Sequence, residues 1–108
     1  MGKFGMYNRF PARAGERDRV VEILLRAAAL MEGVDGCELY LVNTSPDNID
    51  AVWVTEVWDS EESHGASLSI EGVAPLGEHL LPLLTASPEK IRVVPVGGKG
   101  WPDTEHGG

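Results

Sequence analysis

VWVTEVWDSEESHGASL, residues 52–68, is the stretch from which the rest of the chain can be placed. Its first half is rich in β-branched and aromatic side chains, which suit a pleated, packed surface. Alternation divides residues 49–58 between two faces. Val52, Val54, Glu56 and Trp58 point one way; Ala51, Trp53, Thr55 and Val57 point the other. Both faces are largely apolar, so the strand should be covered on both sides. Asp59 ends it and is expected to cap a following helix, with Glu62 reaching back three residues later. One carboxylate, Glu56, stands on an otherwise apolar face beside Trp58, the mark of a lined pocket.

Working outward, residues 36–44 alternate Cys37, Leu39 and Leu41 against Glu38, Tyr40 and Val42. Ser45-Pro46-Asp47-Asn48 is turn chemistry, so this strand and the 49–58 strand should form an antiparallel hairpin. Upstream, residues 3–10 read as a strand with Phe4, Met6, Asn8 and Phe10 on one face. Pro11 to Gly15 is a turn. Residues 16–32 form an amphipathic helix whose stripe is Val20, Leu24, Ala27, Ala28 and Met31, stopped by Gly33. Downstream, a short helix covers about 60–69 and a second runs from about 74 to 85. Pro75 lies in the first turn of that second helix, and Pro82 should kink or shorten it. Its leucines lie nearly all round, which predicts a well-buried helix. Residues 89–97 form the last strand, with Pro95 favouring an edge position.

The order is βαββαβ, an α+β, ferredoxin-like layout with one antiparallel sheet and its helices on one face. The uncovered face carries apolar positions on every strand, and a twofold copy of the chain is the simplest cover. A homodimer is therefore expected. Residues 1–97 make the domain and residues 98–108 a C-terminal tail, where Trp101 is a candidate anchor.

At 108 residues the chain is one domain, burying roughly 65% of its unfolded surface on typical scaling. A formal charge of −8 argues against nucleic acid or an anionic membrane as partner. No run approaches the roughly 20 apolar residues of a membrane helix. A single cysteine, Cys37, allows no internal disulfide and suits a reducing cytoplasm.

The motif Glu56-x-Trp58 followed by Asp59-Ser60-Glu61-Glu62 resembles the E-x-W-x-S-x-E-A signature of the antibiotic biosynthesis monooxygenase family. The turn at Pro11–Gly15 and the Gly33–Gly36 approach to strand two support the likeness, which spans about residues 3–97. The resemblance implies a dimeric α/β barrel. It also implies a small oxygenase that oxidises quinols or polycyclic phenols with O2 and needs neither metal nor flavin. Two departures accompany it. Where many members carry a histidine nine residues beyond the tryptophan, this chain has Ser67, and His64 lies one helical turn earlier. The haem-degrading branch is matched at Asn8 alone: Ser67 occupies its tryptophan position, and its ligand position falls near Gly77. His79 is two residues away, about 200° round a helix, so haem degradation is not expected.

Cofactor-free oxygenation needs an apolar cavity that desolvates an electron-rich phenolate, with a few polar groups to hold it and move a proton. The candidate catalytic residues are Asn8, which can hydrogen-bond a substrate oxygen, and His79 and His64, since histidine titrates near neutrality. Trp58, Tyr40 and Glu56 are the candidate substrate-binding residues. Each has a plainer alternative. Asn8 can serve a backbone group, Trp58 can be core, Tyr40 can pack in a dimer sheet, His64 can be a surface residue, and His79, which can face the pocket from its leucine-rich helix, can equally be solvated. Glu56 is expected to pair with Arg92 or Arg9 across strands. No cluster has metal-ligand spacing, and no glycine-rich loop joins a strand to a helix. The function expected is oxidation of a small aromatic quinol or phenol. The other reading is a non-catalytic dimer that binds a small ligand or regulates on the same scaffold.

Overall fold

The computed structural model describes residues 2–100. Its elements are β1 (Phe4–Pro11), α1 (Arg17–Met31), β2 (Cys37–Ser45), β3 (Asn48–Trp58), α2 (Glu61–Ser67), α3 (Val73–Leu80), a 3₁₀ turn (Leu81–Leu83) and β4 (Glu89–Val93). The four strands make one antiparallel sheet in the order β2-β3-β1-β4. This is the ferredoxin-like arrangement expected from the sequence, with β3 paired on both sides.

Register fixes the two faces. Phe4, Met6, Asn8 and Phe10 of β1 stand opposite Trp58, Glu56, Val54 and Val52 of β3. Tyr40 and Val42 of β2 join the same row beside Glu56 and Val54. This inner face packs under α1, whose Val20, Leu24 and Met31 are buried. Phe10, Val20, Leu24, Val52, Val54, Leu80 and Leu84 belong to one core cluster, and Phe4, Met6, Met31 and Trp58 form a second. Full burial of a side chain such as Val52 contributes about 1.5–3 kcal/mol. The opposite face carries Tyr7, Leu39, Leu41 and Ile91, all exposed.

Two glycines permit close approaches. A Cβ on Gly36 would lie 2.6 Å from Ser63 Cβ and Oγ, so only glycine lets the start of β2 pass under α2. The Gly36 carbonyl also accepts a 2.9 Å bond from Asp59 N, tying the end of β3 to the same point. Gly72, at φ +98°, makes the left-handed turn into α3.

Several details differ from expectation. Ser60, not Asp59, caps α2, its Oγ accepting from Ser63 N at 3.1 Å. The Pro82 segment is a 3₁₀ turn after α3, since proline has no N–H to continue the helix. Leu80 and Leu84 are buried, but Leu81 is exposed, so this region is half-covered rather than enclosed. β4 is an edge strand, in keeping with Pro95, but it stops at Val93 instead of 97. Trp101 and the rest of the tail from 101 to 108 lie outside the described residues. Among the described residues no helix is long and apolar enough to cross a membrane.

Candidate active site

Between the inner sheet face and the three helices lies a cavity of about 610 Å³, within the range of small-molecule sites. Its floor is Met6, Asn8 and Phe10 of β1, Glu56 and Trp58 of β3, and Tyr40 of β2. Ile23, Leu24, Ala27 and Met31 of α1 make one wall. His64 and Ser67 of α2 and Leu76, Gly77 and Leu80 of α3 make another. Glu78 and Lys90, both exposed, stand among the lining residues where the cavity meets solvent.

The polar groups on the floor converge on one carboxylate. Glu56 is 7% exposed. Its Oε2 accepts a 2.6 Å bond from Asn8 Nδ2, and its Oε1 accepts a 2.9 Å bond from Trp58 Nε1. His64 Nε2 lies 3.7 Å from the same Oε1. The His64 ring is held by two aromatic neighbours, edge-on to Trp58 at 5.5 Å between centroids and tilted against Phe4 at 5.2 Å. Strand alternation explains the first contacts: Glu56 and Trp58 are two residues apart and share a face. Asn8 stands diagonally across from Glu56, two residues along β1 from Met6, the residue paired with Glu56.

The expected pairing of Glu56 with Arg92 or Arg9 does not occur. Arg92 bonds Glu61 at 2.7 Å and Arg9 approaches Glu89 at 3.9 Å, both at the exposed edge. An uncharged donor pair, Asn8 and Trp58, holds Glu56 instead. His79 is a second correction. It is exposed on α3 and is not part of the cavity lining, whereas His64, for which a surface position was the plainer expectation, lines it. Ser67 is buried, and its Oγ donates to the His64 carbonyl at 2.5 Å, so it braces α2. Gly77 lines the cavity and brings no side chain to it.

Two groups at this end of the sheet have displaced titration. Burial, and secondly the Glu56 charge, push the Tyr40 phenol well above its ordinary value, so Tyr40 is held as a neutral hydroxyl. Burial, then Glu56, also raises the Cys37 thiol to about 11. One acceptor on the floor is orphaned: Asn8 Oδ1 is buried and has no partner among the described residues. An unmet buried acceptor costs about 1–3 kcal/mol. Among the described residues no three His, Cys, Asp or Glu side chains gather to hold a metal ion.

Sequence reasoning finds the floor and, through the helix stripe of Leu24, Ala27 and Met31, much of the α1 wall, but not the whole lining. Ile23 and Lys90 carry no signal of their own in the chain. Lys90 is accessible only by register, since it stands opposite Asn8 on β4.

A family model for antibiotic biosynthesis monooxygenases matches residues 4–73. No curated protein sequence matches the chain. Among solved structures, a proposed antibiotic biosynthesis monooxygenase from Chloroflexus aurantiacus J-10-fl is 41% identical. The match covers 91% of this chain and 97% of that one, at a TM-score of 0.81. A second proposed member, from Caulobacter crescentus CB15, is 16% identical over 89% and 92% of the two chains, with a TM-score of 0.82. SnoaB, a cofactor-independent oxygenase from Streptomyces nogalater solved in a mutant form, is 17% identical over 94% of this chain and all 100% of that one. Its TM-score is 0.79, a likeness of fold.

Proposed function

The chain belongs to the antibiotic biosynthesis monooxygenase family, and from that premise we propose that it oxygenates an aromatic phenol or quinol with O2, without metal or flavin. The observation that carries this reading is the Glu56 cluster: a buried carboxylate fixing Asn8 and Trp58, with His64 at 3.7 Å, on the floor of an apolar cavity. Such a site does what an electron-rich ring needs. It strips water from the ring, orients its oxygens and offers one base.

His64 is the proposed base, oriented by Glu56. It takes the hydroxyl proton of a phenol whose para carbon bears hydrogen. The phenolate reduces O2, and a C–O bond forms at that carbon to give a hydroperoxide, protonated by His64. Loss of the carbon-bound hydrogen with hydroxide, as water, leaves a quinone. One oxygen atom enters the product and the other leaves in water. Tyr40, a neutral donor, stabilises the phenolate oxygen, and Trp58 walls the ring.

The working unit is proposed to be a homodimer, in the cytoplasm, where Cys37 stays reduced. The open sheet face supports the dimer. Tyr7 and Leu41 are each 50% exposed there and Ile91 60%, an apolar strip that a second copy of the sheet would cover.

The test is oxygen uptake with a panel of naphthols, naphthoquinols and anthrones, in the presence of a chelator and without added flavin. Consumption above the uncatalysed rate, lost in His64→Ala, is expected. If no member of the panel is consumed above background, the cavity belongs to a ligand-binding protein instead.

A further inference from the structure

Ala74, Gly77, Glu78 and Leu81 fall at i, i+3, i+4 and i+7, so they share one side of α3 and of the turn that continues it. All four line the cavity, and only Glu78, which is exposed, is polar. Gly77 has ordinary helical backbone, unlike the left-handed Gly72, and a Cβ built on it would meet nothing within 4 Å. Neither backbone strain nor close packing therefore calls for glycine there, and a glycine inside a helix weakens it relative to alanine. What the missing side chain leaves open is the cavity wall.

The apolar lining also runs out to solvent. Leu68, just after α2, and Leu81 both line the cavity, yet they are 62% and 60% exposed. Each has one side on the cavity and the other in water. Both belong to the helix layer, so a second copy on the opposite sheet face leaves them bare. A bicyclic ring held against Glu56 and His64 is small for a cavity of about 610 Å³, which is a drug-sized volume.

We infer that the ligand's ring carries a flexible apolar chain, which passes Gly77 and lies along Leu81 toward solvent, and that these two residues set the preference for it. The inference rests on the oxygenase reading for placing the phenol end beside His64; the chain follows from the α3 side of the cavity. Gly77 gives the chain passage, and Leu81 gives it apolar surface to cover. Lys90 stands at the same mouth and is the one cation among the lining residues. A chain ending in a carboxylate is therefore the competing occupant, and the test separates the two.

The experiment is anaerobic equilibrium binding by calorimetry, so that no turnover is required. The ligands are 2-methyl-1-naphthol, 2-hexyl-1-naphthol and 6-(1-hydroxynaphthalen-2-yl)hexanoic acid. The wild-type protein is expected to bind the hexyl compound about 30-fold more tightly than the methyl compound. That is about half the free-energy increment of burying five further methylenes, as suits a chain that keeps one side in water. The ratio is read within each protein, so a general change of affinity cancels. It should fall below about 5-fold in Gly77→Leu, which fills the passage, and in Leu81→Asp, which removes the apolar surface. Leu25→Asp alters an exposed leucine of α1 that does not line the cavity, and it should keep the wild-type ratio. Leu81→Asp changes an exposed side chain, so it decides the matter even if Gly77→Leu fails to fold. A wild-type ratio near one would overturn the inference, as would a ratio retained in Leu81→Asp or lost equally in Leu25→Asp. Tighter binding of the acid than of the hexyl compound, with the advantage lost in Lys90→Ala, would replace the apolar chain with an anionic one. Because oxygen is excluded, an inert protein that prefers the chain supports the inference and loses only the oxygenation, and an active protein without the preference does the reverse.

Discussion

Trp58 Nε1 donates to Glu56 Oε1 across 2.9 Å, from two residues further along the same strand face. Trp58 is fully buried, so the indole N–H has no water to turn to. The same carboxylate satisfies Asn8 through its other oxygen. A single charged residue therefore meets two buried donors on neighbouring strands and ties β1 to β3 at the cavity floor.

Removal of that acceptor should be costly. In Glu56→Leu both donors are left buried and unmet, at about 1–3 kcal/mol each. Urea unfolding at matched protein concentration should show a loss of roughly 2–5 kcal/mol, with Glu56→Gln losing less because it keeps one acceptor. A Glu56→Leu protein within about 0.5 kcal/mol of wild type would mean that these bonds do not hold the floor.

The two histidines should separate cleanly. His64 lines the cavity beside Glu56, and His79 is exposed on α3. If His64 is the base, His64→Ala should lower kcat by about 10²- to 10⁴-fold with a smaller effect on KM. His79→Ala should match wild type. Steady-state oxygen uptake distinguishes the two, and the reverse pattern would move the base to α3.

What the sequence discloses, and what it withholds, follows from the kind of signal. Period-two alternation along β3 puts Glu56 and Trp58 on one face, and the fold confirms that placement. The turn at Pro46-Asp47 and the prolines at 82 and 95 set element ends through their missing donors. Charge complementarity alone assigns Glu56 to arginine partners, and it is the wrong rule for a buried position. The amide and indole donors that hold the carboxylate become visible only once β1 and β3 are in register. The histidines are hidden for another reason. α2 is only seven residues long and capped by Ser60, too short for periodicity to say which side faces in. The tilt that places His64 over Trp58 depends on Gly36 admitting α2 against β2.

Cys37 should be a sluggish thiol. Burial and the nearby Glu56 charge raise it from 9.0 to about 11, which leaves about 100-fold less thiolate at pH 8. Alkylation by iodoacetamide at about pH 8 should be slower than in the unfolded chain by about that factor and accelerate toward pH 11. The linkage has a definite sign. The unfolded thiol loses its proton first, so stability contributed by the neutral form is whole below pH 9.0 and falls as pH rises to about 11. Tyr40, also raised, adds to the loss above its ordinary 10.0. Cys37→Ala should shed less stability than wild type over that alkaline window. Identical alkaline losses in the two proteins would contradict the assignment.

The open sheet face gives the last prediction. Trp53 and Val57 lie on it, half-buried already within one chain, among the exposed Tyr7, Leu41 and Ile91. On the proposed dimer a second sheet covers them, and an arginine at either position would place an unpaired charge between two apolar layers, at a cost of several kcal/mol. Trp53→Arg and Val57→Arg should therefore lose the dimer in sedimentation and the folded signal in circular dichroism together, because a chain that leaves such strands bare has little stability of its own. Leu25→Arg is the control: Leu25 is 53% exposed on α1, away from this face, and its variant should remain folded and dimeric. A wild-type protein that sediments as a stable monomer at micromolar concentration would remove the dimer. A folded monomer from either sheet variant would keep the dimer and show that one chain suffices for the fold.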